Sequence, residues 1–407
     1  MQPDTLSYDV TIVGGGIVGL ASIFSLVSRF PDHKFLLLEK EPQLAAHQTS
    51  HNSGVIHSGI YYRPGSLKAR LCREGAEALE AFCLRYAIPY RRCGKVIVAT
   101  EPSELPRLEA LFERGKMNGL KGLEFTGPER LREIEPHAAG LKAIYVPSAG
   151  LVDFGEVTQQ YAALAKEKGA EIRTATRLDG LLRRPAEWIL RTNQGEFRTR
   201  FLINCGGLHS DRIAGIAHAS PGSAIIPFRG EYYEIVPERT SLVKALIYPV
   251  PDPRFPFLGV HLTQTLSGKA KVGPNAILAL KREGYRKTDF NLKDVFDFLR
   301  YPGFWRMARR YSGIGFEEAS RSLFKRVFVQ KVQRLLPELT SEDLVPGMNG
   351  VRAQALNADG TLLDDFHIVQ QEGAIHVLNV PSPAATASLR IGEAISDIAQ
   401  KAFSSEA

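Results

Sequence analysis

Gly14, Gly16 and Gly19 follow the β-branched run Val10–Val13 at G-x-G-x-x-G spacing, and Ile17 and Val18 between them open an apolar stretch of helical character. About twenty residues on, Leu36-Leu37-Leu38 runs into Glu39 and Lys40. The order strand, glycine turn, helix, strand, acid is that of a dinucleotide-binding unit. The first glycine allows a tight turn, the second lets backbone approach a pyrophosphate, and the third lets helix pack on strand. Glu39 can accept both hydroxyls of an adenosine ribose, which also disfavours a 2′-phosphate there. Phe201-Leu202-Ile203-Asn204-Cys205-Gly206-Gly207 repeats the logic, a buried strand ending in paired glycines that bring a second piece of backbone to the cofactor. Two histidines stand out as proton acceptors because imidazole titrates near neutrality. His57 lies in a loop flanked by glycines and His261 follows Leu258-Gly259-Val260 on a strand; for each the plainer reading is a packed, hydrogen-bonded side chain. Arg352, in Gly350-Val351-Arg352-Ala353-Gln354, can grip a carboxylate with two parallel hydrogen bonds, or serve as an inter-strand ion pair.

These residues need a scaffold of two parts. Spacing predicts helices over 66–86, 103–119 and 153–168, a strand over 90–100, a strand over 171–176, and turns between domains from Pro128 to Pro147. From Pro221 to Thr265 the texture becomes alternating and aromatic: Phe228 to Val236, Ala245 to Val250 and Phe257 to Leu262 read as antiparallel strands with turns at 251–256. That sheet is the expected substrate platform. The expected fold is therefore α/β, a Rossmann-like cofactor domain (1–88, 146–220 and 345–407) with a second α+β substrate domain built on an antiparallel sheet (89–145 and 221–344). Near the C-terminus Pro381-Ser382-Pro383-Ala384-Ala385-Thr386 opens a helix whose free N–H groups and positive dipole end suit negative charge.

Composition narrows the setting. The apolar and charged fractions, 44% and 23%, are those of an ordinary globular protein. The first five residues carry no basic or apolar leader, and no stretch reaches the length of a spanning helix, so a cytoplasmic location is expected. Cys72, Cys83, Cys93 and Cys205 form no C-x-x-C pair and no metal-ligand spacing, and read as reduced small hydrophobes. The net charge of +7 is uneven: Lys281 to Arg334 holds 14 Lys or Arg against 6 Asp or Glu, interleaved with aromatics such as Phe296, Trp305 and Phe324. Such a segment suits peripheral contact with an anionic membrane face, or is a solvated helical hairpin whose aromatics are core.

The segment His51-Asn52-Ser53-Gly54-Val55-Ile56-His57-Ser58-Gly59-Ile60-Tyr61-Tyr62, together with Leu258–His261, Val272–Ala276, Gly350–Gln354 and Pro381–Thr386, closely resembles the L-2-hydroxyglutarate dehydrogenase/oxidase family of D-amino-acid-oxidase-like flavoproteins. The resemblance runs in order over almost the whole chain. It implies FAD and oxidation of L-2-hydroxyglutarate to 2-oxoglutarate, with electrons passed to the quinone pool or to oxygen. It also implies that 51–55 and the His57 loop line the isoalloxazine, that Ser382–Thr386 face its N1 and C2-carbonyl edge, and that Arg352 holds a substrate carboxylate while His57 or His261 takes the hydroxyl proton as hydride leaves for N5. His57 has a rival role as a covalent flavin link; non-covalent FAD is expected. Arg229, Tyr232 and Tyr233 are the candidates for the second carboxylate. Arg390 departs from the family, which carries a smaller residue inside the final helix. Three other readings stand beside this one: an amine oxidase of the glycine or sarcosine type, which shares the fold and the arginine; an RNA-modification flavoprotein, for which no nucleic-acid module is recognisable; and an NAD-dependent dehydrogenase.

Overall fold

The structure is a computed structural model that describes residues 6–254 and 258–405. Phe257, expected to begin a strand, the end of the 251–256 turn and the first five residues lie outside them.

Strand β1 (Ser7–Val13) pairs in parallel with β2 (Phe35–Leu38) on one side and with the strand Gly195–Asn204 on the other. Both faces of β1 and β2 are covered, so the residues form a near-continuous apolar run. The sheet continues through Glu171–Arg173 on one edge, and through Glu187–Thr192 and Leu178–Arg184 on the other, with Ala374–Asn379 and His367–Gln371 joined to Gly195–Asn204. Helix α1 (Ile17–Arg29) lies on this sheet beneath the last helix, Ser388–Ser405. A Cβ at Gly392 would meet the backbone of Ala21 and Ser22, so only glycine lets these two helices touch backbone to backbone. Arg390, on the same helix, makes a 2.7 Å ion pair with Glu393 at its surface.

A second sheet has eight strands, ordered Leu344–Pro346, Tyr233–Ile235, Ala270–Gly273, His261–Gln264, Leu246–Pro249, Lys95–Ala99, Lys142–Val146 and Glu124–Thr126. All neighbours are antiparallel except Leu246–Pro249 with Lys95–Ala99. Between the two sheets runs a three-stranded sheet of Ile277–Leu278, Ser223–Gly230 and Gly350–Asn357, which places Arg352 directly across from Phe228.

Several local expectations change. The strand expected over 90–100 is two, Tyr90–Arg92 and Lys95–Ala99, because Gly94 turns the chain at φ +74° and sends the halves to different sheets. Phe228 to Val236 is likewise split, at Gly230, between two sheets. The turn-rich reading of Pro128–Pro147 misses a helix, Pro128–Ile134, and a strand, Lys142–Val146. Pro128 stands at the first helical position, where its missing N–H costs nothing and its fixed φ suits the helix. The basic segment, expected to be helical, is four short helices, Leu292–Arg300, Pro302–Arg310, Ser312–Leu323 and Lys325–Val332, and so not the two-helix hairpin of the alternative reading.

Candidate active site at the junction of two sheets

The cofactor end is made mostly of backbone. Gly14 leaves β1 at φ +117°, and a Cβ there would overlap the Cys205 carbonyl; one at Gly19 would overlap the Gly14 carbonyl. Gly16 differs. A Cβ on it would meet nothing nearer than Thr49 Oγ1 at 3.4 Å, so the turn between β1 and α1 presents open backbone at the helix N-terminus. Ile17 N–H donates to Thr49 Oγ1 (3.0 Å) and the Cys205 N–H to the Val13 carbonyl (2.8 Å). Glu39 is buried at the end of β2, where its two oxygens accept the N–H groups of Gly15 (2.6 Å) and Glu41 (2.8 Å), which fixes the carboxylate with lone pairs to spare. An open glycine turn at a helix N-terminus beside an oriented carboxylate fits the pyrophosphate and adenosine ribose of FAD.

Lys40 does not serve this end as expected. Its ammonium is bound to Glu41 and, at 2.7 Å, to Glu283, among His47 and His209. The charge is thus spent on an ion cluster that ties β2 to the start of the basic segment. These neighbours hold the Glu283 carboxyl down at about 2 against the opposing effect of burial.

The loop from His51 to Tyr62 crosses between the two ends. His51 stacks on Tyr285 (4.1 Å between ring centres) and bonds the Asn349 carbonyl (2.8 Å). Asn52 closes its own loop, donating to the carbonyls of Gln48 and Thr49 and accepting from Gly54 N–H. Gly54 is needed at φ +71°, with Val152 O close to where a side chain would start; Ser53 precedes it and Val55 follows, paired with Leu151. His57 N–H donates to Thr386 Oγ1 (3.1 Å), and its Nε2 lies 3.2 Å from Ser382 Oγ. The segment 382–387 is a run of turns, so the last helix begins at Ser388, after the Pro381–Thr386 stretch expected to open it.

The opposite end is made of charged and aromatic side chains. His261 Nδ1 donates to the Gly259 carbonyl (2.9 Å), since a carbonyl can only accept, which leaves the lone pair on Nε2. Its ring stacks on Tyr248 at 3.9 Å and 18°. Lys95 Nζ lies 4.8 Å from the Tyr248 ring centre and 4.5 Å from that of Tyr61, with no hydrogen-bond partner. Arg352 interacts with the Tyr232 hydroxyl and adds its field to that of Lys95 at His261. Lys68 bonds Asp364 through its carbonyl (2.8 Å) and carboxylate (3.0 Å) while lying over the Tyr62 ring.

Burial and neighbouring cations push both histidines down to about 3, and burial pushes Lys95 down to about 7. Both imidazoles are therefore neutral at pH 7. The pocket gathers Arg352, Lys95 and Lys68 around them, and Lys68 is paired with exposed Asp364.

Of the residues expected at the substrate, the structure brings together His57, His261, Arg352 and Tyr232. Arg229 is elsewhere. It is the cross-strand neighbour of Val351, so it points to the face of its strand opposite Arg352, and its guanidinium is buried against Glu231 at 2.9 Å. Tyr233 points away from Tyr232 and packs its ring on Phe328 in the core behind the sheet. Lys95, Tyr61, Tyr248 and Lys68 were not anticipated. A lysine opening the strand Val96-Ile97-Val98-Ala99, whose other residues are all apolar and buried, was the available signal for the first.

Comparison with known proteins agrees with this construction. Residues 9–398 match the profile of the FAD dependent oxidoreductase (DAO) family. The L-2-hydroxyglutarate dehydrogenase of Indibacter alkaliphilus is 47% identical over 98% of this chain and 100% of that protein. The enzyme of that name from Escherichia coli K12 is 45% identical over 98% of this chain and 94% of the other, and the human mitochondrial one 44% over 98% and 90%. Among solved structures, an FAD-bound L-α-glycerophosphate oxidase from Mycoplasma pneumoniae superposes with a TM-score of 0.77 at 21% identity, covering 96% of this chain and 94% of that one. Glycine oxidase from Geobacillus kaustophilus gives 0.72 at 18%, covering 98% and 95%.

Proposed function

The chain belongs to the FAD dependent oxidoreductase family, and from that premise we propose that it oxidises L-2-hydroxyglutarate to 2-oxoglutarate. The observation that carries the reading is the pairing of Arg352 with His261, a cation beside a neutral imidazole whose free nitrogen is defined by its bond to Gly259. FAD, non-covalently held by the Gly14–Gly19 turn, Glu39, 51–55, 205–207 and 382–386, supplies the two-electron acceptor. Arg352, steadied by Tyr232, grips the C1 carboxylate with two hydrogen bonds and so sets the angle of the C2–H bond. His261 Nε2 takes the hydroxyl proton as that bond breaks. The bound dianion offsets the cations that depress His261, so the imidazole becomes a stronger base once substrate is present. His57, tied to Ser382 and Thr386, positions the cofactor-side loop. A secondary-amine substrate would bring one carboxylate to this excess of positive charge, which favours the diacid.

The same reading extends to the electron acceptor and the division of the chain. The four basic helices expose Phe296, Trp305, Phe316, Leu323 and Phe324 among their cations, a surface suited to an anionic bilayer. A cavity of about 570 Å3, walled by Phe304, Met307 and Tyr311 of these helices, reaches Gly259 and Val260 beside His261. Both features favour membrane quinone over oxygen as acceptor, at a peripheral membrane position. Among the described residues no helix is long and apolar enough to cross a bilayer. Residues 1–88, 146–220 and 345–407 form the cofactor domain and the remainder the substrate domain. Mixing the protein with L-2-hydroxyglutarate and a dye acceptor tests the activity: 2-oxoglutarate forms from the L-acid and not from the D-acid or sarcosine. Flotation with anionic vesicles tests the surface. Recovery at the bottom of the gradient contradicts membrane contact.

A further inference from the structure

With Arg229 removed from the site by its pair with Glu231, the second carboxylate of a 2-hydroxy diacid has no cation among the residues expected for it. Two lysines remain within reach of the histidines. Lys68 is taken, bonded twice to Asp364. Lys95 is not: the residue is 1% exposed, its Nζ has no hydrogen-bond partner among the described residues, and it lies over the faces of Tyr61 and Tyr248. Buried polar groups are nearly always satisfied, so an ammonium enclosed without an acceptor is an incomplete arrangement. The imbalance is shared by its neighbours. Tyr61 hydroxyl and His57 Nδ1 are buried without partners in the same region, so three polar atoms there await a ligand.

The placement also suits a diacid. Arg352 and Lys95 both act on His261, and the Lys95 ammonium and the imidazole both lie against the ring of Tyr248. Three carbons separate the two carboxylates of 2-hydroxyglutarate, so a carboxylate on Arg352 with its hydroxyl at His261 needs a second cation set apart from Arg352. Resting on the activity proposed above, we propose that Lys95 is the specificity-determining cation for the distal carboxylate, reached when Tyr61 gives way, and that it selects 2-hydroxy diacids over monoacids of the same length. Tyr61 and Tyr248 hold the ammonium in place while lacking any acid that would neutralise it.

The test compares anaerobic flavin reduction and steady-state turnover of the holoenzyme on L-2-hydroxyglutarate and on L-2-hydroxyvalerate, which keeps the chain and lacks the distal carboxylate. Wild type, Lys95→Met and Lys95→Arg are measured at equal FAD content. Expected is a wild-type preference for the diacid in kcat/KM that collapses on the order of 30-fold or more in Lys95→Met, chiefly through KM, and is partly rescued in Lys95→Arg. A preference unchanged in Lys95→Met, or equal losses on both acids, overturns the assignment. A wild type that oxidises neither acid instead refutes the activity itself. If Lys95→Met fails to fold, the proposal is decided on wild type alone: a diacid preference that does not weaken above pH 7, where the buried ammonium is lost, refutes it.

Discussion

The two ends of the site are built by opposite means. At the cofactor end the groups that can be assigned are already satisfied: Glu39 accepts two N–H groups, Thr49 takes the helix N–H, and Gly14 and Gly19 are fixed by carbonyls that would collide with any side chain. At the substrate end Lys95, Tyr61 and His57 carry buried polar atoms with no partner, and the histidines are held neutral by burial and by the cations around them. A pyrophosphate can be met by backbone that costs nothing to preorganise, whereas two carboxylates need charges, and the Lys95 ammonium has no hydrogen-bond acceptor until the diacid arrives. The difference predicts that substitutions at the substrate end act on rate and specificity, and those at the cofactor end on occupancy.

The sharpest break in that comparison would be His261→Ala. Loss of the base should lower kcat about 10³-fold with FAD content intact, read by stopped-flow flavin reduction; a fall of less than tenfold would move the base to another residue. Arg352→Lys should lower kcat and raise KM together, about 10²-fold in kcat/KM, because an ammonium cannot reproduce the two-pronged grip that sets the C2–H angle. Unchanged kinetics would remove Arg352 from the site.

The pH dependence is expected to be smaller and to have a definite sign. Lys95, depressed to about 7, carries its charge below that pH and loses it above, so the preference for the diacid over the monoacid should fall roughly tenfold between pH 6 and pH 8. The neutral histidines add no acidic limb near 6.5 to kcat/KM, since both are pushed down to about 3. The smallest effect belongs to the cofactor end: Glu39→Ala should weaken FAD binding about tenfold, seen as lower occupancy on purification, with turnover per bound flavin little changed. Acid precipitation should release the yellow colour to the supernatant; colour retained in the pellet would make His57 a covalent link.

The same contrast explains what could be read from the sequence. The first unit of the cofactor end lies in one unbroken stretch, and its chemistry is a matter of spacing, so Gly14, Gly16, Gly19 and Glu39 were legible one strand and one helix at a time. The substrate end joins residues 57, 95, 232, 248, 261 and 352, brought together by strand order and by which face each residue takes. Arg229 shows the limit. One residue along its strand from the position facing Arg352, it points to the other side and finds Glu231, a parity that depends on register with Gly350–Asn357. Lys95 was hidden for a related reason. It meets the ring of Tyr248, which stacks on His261, because Lys95–Ala99 joins Leu246–Pro249 in the one parallel pairing of an otherwise antiparallel sheet.

The central claim is that a flavin at the glycine turn is reduced by a 2-hydroxy diacid held between Arg352 and Lys95. An anaerobic visible spectrum of the purified protein, taken before and after L-2-hydroxyglutarate, tests it most directly, with the D-enantiomer and sarcosine as controls. The account predicts flavin absorbance that bleaches with the L-acid alone. A flavin bleached only by sarcosine, or a protein without flavin absorbance, would contradict it.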